Sequence, residues 1–454
     1  MRLVVGIFIC KATRFALRLL GRGGTNLPGK LALKCCPDIL AHLGKQVNTV
    51  VVTGTNGKTT SARMLEEAYK KADVKAFSNR SGANLLPGIT AEFIGNASLF
   101  GKMRVQHAII ECDEAAFRHA AKYLDAKVIL VTNVFRDQLD RFGEIANTIS
   151  SIGAGISQSP NATLCINGDC PLLVFMVQNL NKPVCYFGAE DSFGQEGGGS
   201  MVEAMACPKC QTKLVYAYKT YGHLGAYACE SCDFKRPKTQ VSVVKLLSQT
   251  ADNTTVEVKI GETISQTNIN LPGIYNVYNA IGVLAVCSVL AMPISKMLEA
   301  LAEFQGGFGR MEAMTVGKAK VRMILVKNPI GASQVFTYLA GMKEACKLVV
   351  CLNDRSGDGA DVSWIWDIET EALLEMQEEI ESIYCGGIRA DELAVWLKYV
   401  GIREEKIQVE HNMDALLQTV AESELPVYMM PTYTAMLEMR GKLEKEYGLG
   451  RFWE

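Results

Sequence analysis

Residues 51–60, VVTGTNGKTT, constrain the fold more than any other part of the chain. An apolar run ends in two glycines, and the residues after Thr60 have helical spacing, so the glycines are predicted to lie on a strand-to-helix turn. The backbone N–H groups of such a turn and the N-terminus of the helix can bind phosphate. Lys58 would add a positive charge, and the hydroxyl of Thr59 would bind Mg²⁺. An ordinary glycine-rich turn is the alternative, but the G-K-T core in this context favours the phosphate site.

Short apolar runs alternate with helical segments along most of the chain. From residue 50 to about residue 175 this alternation is typical of a parallel sheet with helices on both faces. Antiparallel strands and a long helical stretch are predicted next, and a second alternating pattern indicates another α/β domain. We expect an N-terminal helical segment at 1–45, a central domain at 46–310 with an insert at about 201–237, and a C-terminal domain at 311–454.

Composition limits the classes of protein. A chain of 454 residues, 48% of them hydrophobic, is large enough for two or three domains with substantial cores. The net charge of -1 provides no general attraction for nucleic acid, so no nucleic-acid partner is expected. No apolar run is long enough to span a membrane. Fifteen cysteines, many alone in apolar surroundings, favour a reducing cytoplasm over a disulfide framework.

The N-terminal segment combines apolar and basic residues. Its short apolar core resembles a signal peptide, but it has no small-residue cleavage site. The spacing predicts a basic amphipathic helix instead. Packing on the next domain and lying against an anionic membrane surface, as a peripheral protein at the inner face, both remain open. The basic residues at helical spacing are Lys11, Arg14, Arg18 and Arg22.

Two C-x2-C pairs lie in the predicted insert, with eighteen residues between them. Four thiolates at this spacing form a closed tetrahedral site, which is typical of a structural zinc ribbon. A redox dithiol pair is the alternative, and the spacing does not distinguish zinc from iron. The aromatic residues between the pairs are expected to form the ribbon's own small core. The cysteines are Cys207, Cys210, Cys229 and Cys232, and the aromatic residues are Tyr216, Tyr218, Tyr221, His223 and Tyr227.

Polar residues follow two predicted strands near the phosphate loop. Glu111, Asp113 and Glu114 come after one strand, where they could bind Mg²⁺ or form a solvated acidic turn. The second group is predicted to contact magnesium or the nucleotide, or alternatively to form a salt-bridged turn. Its members are Asn133, Arg136, Asp137, Gln138, Asp140 and Arg141.

Residues 354–367 are rich in acidic side chains and contain two tryptophans. A solvated surface, a metal site and an interface are all consistent with the acids alone, but tryptophan favours an interface. The acidic residues are Asp354, Asp358, Asp361 and Asp367, and the tryptophans are Trp364 and Trp366.

Four segments in this order resemble the Mur ligases and folylpolyglutamate synthetases. They are GTNGKTT (54–60), TNVFRDQLDRFG (132–143), LPGIYNVYNAIGVLAV (271–286) and FGRME (308–312). The first resembles the ATP loop of the family, the third its adenine-side helix, and the fourth the hinge into its third domain. The resemblance implies a Mur-ligase-like central domain and a Rossmann-like C-terminal domain.

The resemblance also implies that a carboxylate is activated by Mg²⁺-ATP as an acyl phosphate, which an amine then attacks. Thr59 and Glu111 are expected to bind Mg²⁺, and Lys327 and Asn328 to contact the acyl phosphate. The residues expected to bind ATP are Gly54, Thr55, Asn56, Gly57, Lys58, Thr59, Thr60, Asn133, Asn276, Asn279 and Arg310.

The chain departs from typical members in several places. Gln138 replaces a metal-side histidine, no counterpart of the carbamylated lysine is found, and residues 1–45 are too few for a UDP-binding domain. These departures, together with the cysteine-rich insert, make the chain resemble one branch of the family. Members of that branch are ligase-like subunits that form a heterodimer with a GatD-like glutaminase. The resemblance implies that the α-carboxylate of D-glutamate in the lipid II stem is activated and that ammonia released from glutamine attacks it.

The same branch implies a role for the acidic run. One aspartate would orient the catalytic histidine of the glutaminase across the subunit boundary, as the third member of a triad does. Asp361 is the first choice, Asp358 the second and Asp354 the third. Two other functions remain possible: a self-sufficient ligase that adds an amino acid, and a non-catalytic scaffold for the glutaminase.

Overall fold

The computed structural model describes residues 1–19, 26–79, 83–135, 144–193, 206–306 and 310–449. The chain begins with helices α1 (Arg2–Leu19), α2 (Asn26–Cys35) and α3 (Ile39–Gly44). The predicted N-terminal helix is present, and one face of it packs on the following domain. There Lys11 Nζ donates to the carbonyl oxygen of Ala97 (2.5 Å), and Arg14 forms an ion pair with Glu92 (2.8 Å). Arg22 lies outside the described residues.

Parallel strands alternate with helices in the next segment, as predicted. In chain order the elements are β1 (Asn48–Thr53), α4 (Lys58–Lys71), β2 (Ala76–Ser78), α5 (Leu86–Gly95), β3 (His107–Glu111), α6 (Glu114–Leu124), β4 (Ala126–Val131), α7 (Glu144–Ser157), β5 (Thr163–Asn167), α8 (Pro171–Gln178) and β6 (Val184–Ala189). Strand β1 lies between β3 and β4 and pairs with both in parallel. The carboxyl ends of these strands therefore meet at one edge of the sheet.

The cysteine-rich segment forms an antiparallel ribbon of β7 (Leu214–Tyr221) and β8 (Leu224–Cys229). As predicted, part of its aromatic content forms a small core, in which Tyr227 stacks on Phe234 at 5.5 Å. The prediction is wrong for Tyr221, which packs in the main core against Phe135. His223 is also buried outside the ribbon's core, and burial lowers the pKa of this imidazole to about 3. It is therefore neutral at physiological pH.

The central sheet continues with β9 (Val241–Gln249), β10 (Thr254–Ile260) and β11 (Thr263–Ile269). Strand β10 is antiparallel to both β9 and β11. Within the described residues, the strand order of this sheet is β11-β10-β9-β6-β5-β4-β1-β3-β2. The long helical stretch predicted next consists of α9 (Ile274–Val289) and α10 (Ile294–Glu303). The break between them coincides with Pro293, which cannot donate a helical hydrogen bond.

The C-terminal part is the second α/β unit that the sequence predicts. Its elements are β12 (Arg310–Val316), β13 (Ala319–Ile324), α11 (Pro329–Met342), β14 (Cys346–Cys351), a 3₁₀ helix (Ser363–Asp367), α12 (Glu371–Glu375), β15 (Ile380–Gly386), α13 (Ala390–Val400), a second 3₁₀ helix (Glu404–Lys406), β16 (Ile407–Val409), α14 (Met413–Ala421), β17 (Val427–Pro431) and α15 (Tyr433–Tyr447). Over residues 310–449 its sheet has the order β12-β13-β17-β14-β15-β16. Strand β12 is antiparallel to β13, and the other pairs are parallel.

A buried carboxylate anchors the ribbon to the central domain. Asp169 is fully buried and accepts hydrogen bonds from Arg236 Nε (2.5 Å), the Tyr278 hydroxyl (2.6 Å) and the Ala189 N–H (2.7 Å). Burial raises the pKa of Asp169, while the charge of Arg236 opposes that rise. These partners belong to the segment after β8, to α9 and to β6, so one side chain joins three parts of the fold.

Replacing Asp169 with alanine should strongly destabilise the protein. The change leaves Arg236 without its buried counter-charge, and such a loss typically costs about 3–5 kcal/mol. Urea denaturation would measure the change in the free energy of unfolding. The matched control is Glu190→Ala, which removes a more exposed partner of Arg236 at 3.5 Å and should cost less than about 1 kcal/mol. Equal losses in the two variants would contradict an anchoring role for Asp169.

Candidate functional site

The glycine-rich turn lies between β1 and α4, where the sequence predicts it. Gly54 and Gly57 have φ angles of 120° and 86°, which favour glycine. A Cβ atom at Gly57 would lie 1.9 Å from Asn279 Oδ1, and one at Gly54 would lie 2.4 Å from Thr132 Oγ1. The turn therefore needs both glycines, for conformation and for space.

Residues that follow β4 hold the backbone of this loop. The N–H of Thr55 donates to the Asn133 carbonyl oxygen (2.9 Å), and the N–H of Asn56 donates to Asn133 Oδ1 (3.0 Å). Thr132 Oγ1 donates to the carbonyl oxygen of Asn56 (2.7 Å). Asn133, which was expected to contact the nucleotide or magnesium, thus contacts the loop that would bind the phosphates. The neighbouring candidates, Arg136, Asp137, Gln138, Asp140 and Arg141, lie outside the described residues.

Lys58, the first residue of α4, is held at the mouth of the loop. Its ammonium group donates to the carbonyl oxygens of Gly54 (2.6 Å) and Thr55 (3.2 Å), and it pairs with Glu114 Oε1 at 2.8 Å. The first turn of α4 contains no acidic residue, so its N-terminal partial charge adds to that of Lys58. Glu114, predicted as a possible magnesium ligand, is the ion-pair partner of Lys58.

Glu111 ends β3 at the same edge of the sheet. It pairs in register with Val52 of β1, two residues before Gly54, and its side chain is buried. Asn84 Nδ2 lies 3.4 Å from Glu111 Oε1, and Asn79 exchanges two hydrogen bonds with the Glu111 backbone. This position suits a metal ligand beside the loop. Thr59 and Thr60 follow Lys58 in the first turn of α4.

Asp113, the third predicted carboxylate, has a structural role. Its Oδ1 accepts hydrogen bonds from the N–H groups of Ala115 (3.0 Å) and Ala116 (3.2 Å), so it caps the N-terminus of α6.

A cavity of about 110 Å³ lies between the loop, α9 and the C-terminal domain. Asn276 and Asn279, the residues expected near adenine, are on its wall, and Asn279 Nδ2 donates to Asn276 Oδ1 at 3.3 Å. The sequence did not indicate the other polar and aromatic wall residues, Tyr221, Tyr275 and Gln334. Adjacency to Asn276 could have indicated Tyr275, whereas Gln334 comes from α11 and depends on the tertiary fold. Arg310 begins β12, but its side chain lies outside the described part of the structure.

The C-terminal domain reaches the loop through Asn328. This buried side chain caps α11 by accepting from the Gly331 N–H (2.8 Å), and its Nδ2 donates to Asn56 Oδ1 at 3.0 Å. Lys327, immediately before it, is half-buried. The predicted pair therefore lies where the second domain meets the phosphate loop.

The aspartates of the acidic run have different surroundings. Asp358 is buried and accepts from the N–H (2.7 Å) and the hydroxyl of Thr434 at the start of α15. Asp354 accepts from Arg389 Nε (2.9 Å) and Nη2 (2.7 Å). Asp361 is half-buried, and its Oδ1 accepts from the Ser363 N–H at 2.8 Å. Asp367 is exposed.

The two tryptophans of this run also differ. Trp364 is buried in the C-terminal core, so the expectation that it lies at an interface is wrong. Trp366 is 54% exposed and packs edge-on against Tyr399, which is 79% exposed. An exposed aromatic pair of this kind is typical of a binding surface.

The four cysteines of the ribbon converge. The Sγ atoms of Cys207 and Cys232 are 3.7 Å apart, and those of Cys210 and Cys229 are 3.4 Å apart. All four sulfur atoms lie within 4.8 Å of one another, so together they could hold a metal ion. This arrangement is the closed thiolate set that the C-x2-C spacing predicts.

Each of the two α/β units matches a known protein family. Residues 52–204 match the Mur ligase middle domain, and residues 325–436 match the MurT ligase C-terminal family. The structure is similar to a pseudomurein peptide ligase type C from Methanothermus fervidus, with a TM-score of 0.67 at 19% identity over 90% of this chain and 81% of that one. It is also similar to the Mycobacterium tuberculosis folylpolyglutamate synthase, with a TM-score of 0.61 at 14% identity over 98% and 96%. The predicted Mur-ligase-like fold is confirmed.

Two relatives extend the match to almost the whole chain. The lipid II isoglutaminyl synthase (glutamine-hydrolyzing) subunit MurT of Streptococcus pneumoniae is 36% identical, over 97% of this chain and 96% of that protein. The protein of the same name from Staphylococcus aureus is 29% identical, over 99% and 100%. At this identity and coverage, the chain belongs to the MurT family of Mur-ligase-type, ATP-dependent ligases.

Proposed function

We propose that this chain amidates the α-carboxylate of D-glutamate in the stem peptide of lipid II, giving D-isoglutamine. The observation that carries the proposal is an intact phosphate loop, with Lys58 at its mouth and Asn328 of the second domain bonded to it, in a chain that matches a MurT subunit over 97% of its length. It would form a heterodimer with a GatD-like glutaminase, which supplies ammonia from glutamine.

The residues around the loop fit Mg²⁺-ATP. Gly54 and Gly57 have no side chain, which lets the loop backbone pack closely against Thr132 and Asn279. The loop ends at the N-terminus of α4, whose first N–H groups can bind phosphate. Lys58 provides the charge for the phosphates, while Thr59 and Glu111 would hold the metal ion. Mg²⁺ neutralises charge on the transferred phosphoryl group. The cavity beside Asn276 and Asn279 has apolar and amide groups suited to adenine.

The proposed reaction has two steps. A carboxylate oxygen of the substrate attacks the γ-phosphorus of ATP, which forms an acyl phosphate and releases ADP. Ammonia then attacks the acyl carbon, inorganic phosphate leaves, and a proton is lost to give the amide. Lys327 and Asn328 would contact the acyl phosphate, because Asn328 already reaches Asn56 of the loop.

The surroundings of the acidic run support Asp361 as the aspartate that serves the glutaminase. Both oxygens of Asp358 are used to fix the start of α15, and Asp354 is paired with Arg389. Asp361 Oδ2 makes no hydrogen bond to any residue that the structure describes. The exposed pair of Trp366 and Tyr399 would contribute to the surface on which the glutaminase docks.

We also propose that zinc fills the four-cysteine site, that the domains divide at residues 45 and 310, and that the protein works in the cytoplasm at the inner face of the membrane, where lipid II is available.

One assay separates the proposed function from its alternatives. Product mass and ADP release are measured with lipid II and either glutamine or ammonia, with and without the glutaminase. A self-sufficient ligase would require an amino acid, and a scaffold would release no ADP.

The first functional prediction concerns Lys58. Lys58→Ala should lower ATP turnover by about 10²-fold or more, because it removes the positive charge of the loop that would bind the phosphates. Lys70→Ala is the matched control: it lies on the same helix, its side chain is 75% exposed, and turnover should not change. Near-normal turnover in folded Lys58→Ala protein would contradict the ATP site.

The second concerns the cysteine cluster. Metal analysis of purified protein should find about one zinc ion per chain. Cys229→Ser should release the metal and lower the thermal midpoint, whereas Cys35→Ser, at a half-buried cysteine outside the cluster, should retain it. Finding no metal, with the four thiols freely alkylated in the native protein, would refute the zinc site.

The third separates the two active sites of the complex. Asp361→Asn removes the charge that would stabilise the histidine of the glutaminase, a loss that costs about 10⁴-fold in a serine-protease triad. The variant should fail with glutamine but regain amidation when ammonia is supplied. Asp358→Asn and Asp354→Asn serve as parallel controls, and the first should mainly lower thermal stability by loosening α15. Normal glutamine hydrolysis by the Asp361→Asn complex would exclude this residue from the triad.

A further inference from the structure

The outer face of α1 is apolar along its length. Its inner face buries Ile7 and Cys10, while exposed apolar side chains that are three, four or seven residues apart lie on the opposite side. Because an α-helix repeats every 3.6 residues, these side chains lie on one face, which we call the α1 stripe. Phe8 and Phe15 are 62% and 65% exposed. The stripe consists of Met1, Val4, Val5, Phe8, Phe15 and Leu19.

A loop beside α1 adds more exposed apolar surface. Gly101 packs against the helix, since a Cβ atom there would lie 2.8 Å from Leu3 Cδ2 and 3.6 Å from Ile7 Cδ1. Leu99 and Phe100, the two residues before it, are 48% and 84% exposed. The loop meets α1 on its inner face, so Leu99 and Phe100 lie beside the helix and outside the α1 stripe.

The charged side chains of the N-terminal segment that contains α1 are all basic. Residues 1–37 contain seven basic residues and no acidic residue, although the whole chain has a net charge of -1. Arg2 and Arg18 are exposed near the two ends of α1, and Lys102 and Arg104 are exposed just after Phe100. Arg14 is already paired with Glu92.

We propose that the α1 stripe binds the surface of an anionic lipid bilayer. The helix lies in the plane of the interface, Phe8 and Phe15 insert among the acyl chains below the headgroups, and Arg2 and Arg18 contact lipid phosphates. Exposed apolar side chains on a segment whose charged residues are all basic match an anionic bilayer. A second copy of the chain would bring two basic segments together, which like-charge repulsion opposes.

The stripe is connected to the candidate site through α2. Helix α2 packs on α1, and its Gly29 is so close to α5 that a Cβ atom would lie 1.8 Å from the Pro87 carbonyl oxygen. The residue before α5's N-cap, Asn84, contacts Glu111. If the proposed function holds, this arrangement keeps the edge of the site near a lipid-linked substrate, but the binding of bilayers does not depend on that function.

Flotation of the full chain with vesicles tests the proposal. The protein should float with vesicles of phosphatidylcholine and phosphatidylglycerol, less with phosphatidylcholine alone, and less at high salt. Phe8→Glu/Phe15→Glu should lower the partition coefficient by about tenfold or more. The matched control, Ile264→Glu/Val409→Glu, adds the same charge at exposed strand positions elsewhere. Its partition coefficient should fall only slightly, because the added negative charge is repelled by the anionic lipid. Equal thermal midpoints would show that both variants are folded.

Two results would overturn the proposal: wild-type protein that stays in solution with anionic vesicles, and equal binding by the stripe and control variants. The wild type could also fail to bind vesicles while the stripe variant loses a homodimer or the glutaminase complex. That result would assign the stripe to a protein partner and would overturn the proposal. Amidation of a water-soluble stem-peptide analogue should persist in the stripe variant. Wild-type protein that binds vesicles but amidates no substrate would contradict the proposed function alone.

Discussion

The hydrogen bonds that converge on Asn56 fix the part of the molecule on which the candidate site depends. Its N–H and carbonyl oxygen are bonded to Asn133 and Thr132 after β4, and its side chain accepts from Asn328 of the C-terminal domain. A loop residue bonded on both sides cannot shift without breaking contacts to two domains. The position of the phosphate loop and the position of the second domain are therefore coupled through one side chain.

The charge of the site is also fixed by contacts within the loop. Lys58 is held by two loop carbonyl oxygens and by Glu114 before any ligand arrives, so its charge is oriented in advance. Preorganised charge of this kind contributes to catalysis because little reorganisation accompanies the reaction. The cost is desolvation of a nearly buried ion pair, which the loop carbonyls partly offset. Asp169 plays a comparable part for the ribbon, where one buried carboxylate joins three segments.

Local patterns in the sequence predicted the strand-loop-helix at Gly54–Lys58, both alternating α/β segments and the convergence of the four cysteines. Each depends on spacing within a short stretch or on a repeated period. The partners of Glu114 and Asn328 could not be predicted in the same way, because each bond joins residues more than fifty positions apart. Trp364 shows the same limit: composition near the acidic run favoured an interface, yet packing of the 3₁₀ helix places this side chain in the core.

In the proposed reaction, ATP activates the stem-peptide carboxylate before ammonia attacks it. Lipid II labelled with heavy oxygen at both oxygens of the α-carboxylate of D-glutamate tests this directly in the complex with ATP and glutamine. Transfer through an acyl phosphate leaves one labelled oxygen in the amide and moves the other to inorganic phosphate, which mass spectrometry detects. Labelled phosphate in an amount equal to the amide formed is the predicted result. Amide formed together with unlabelled phosphate would contradict the account.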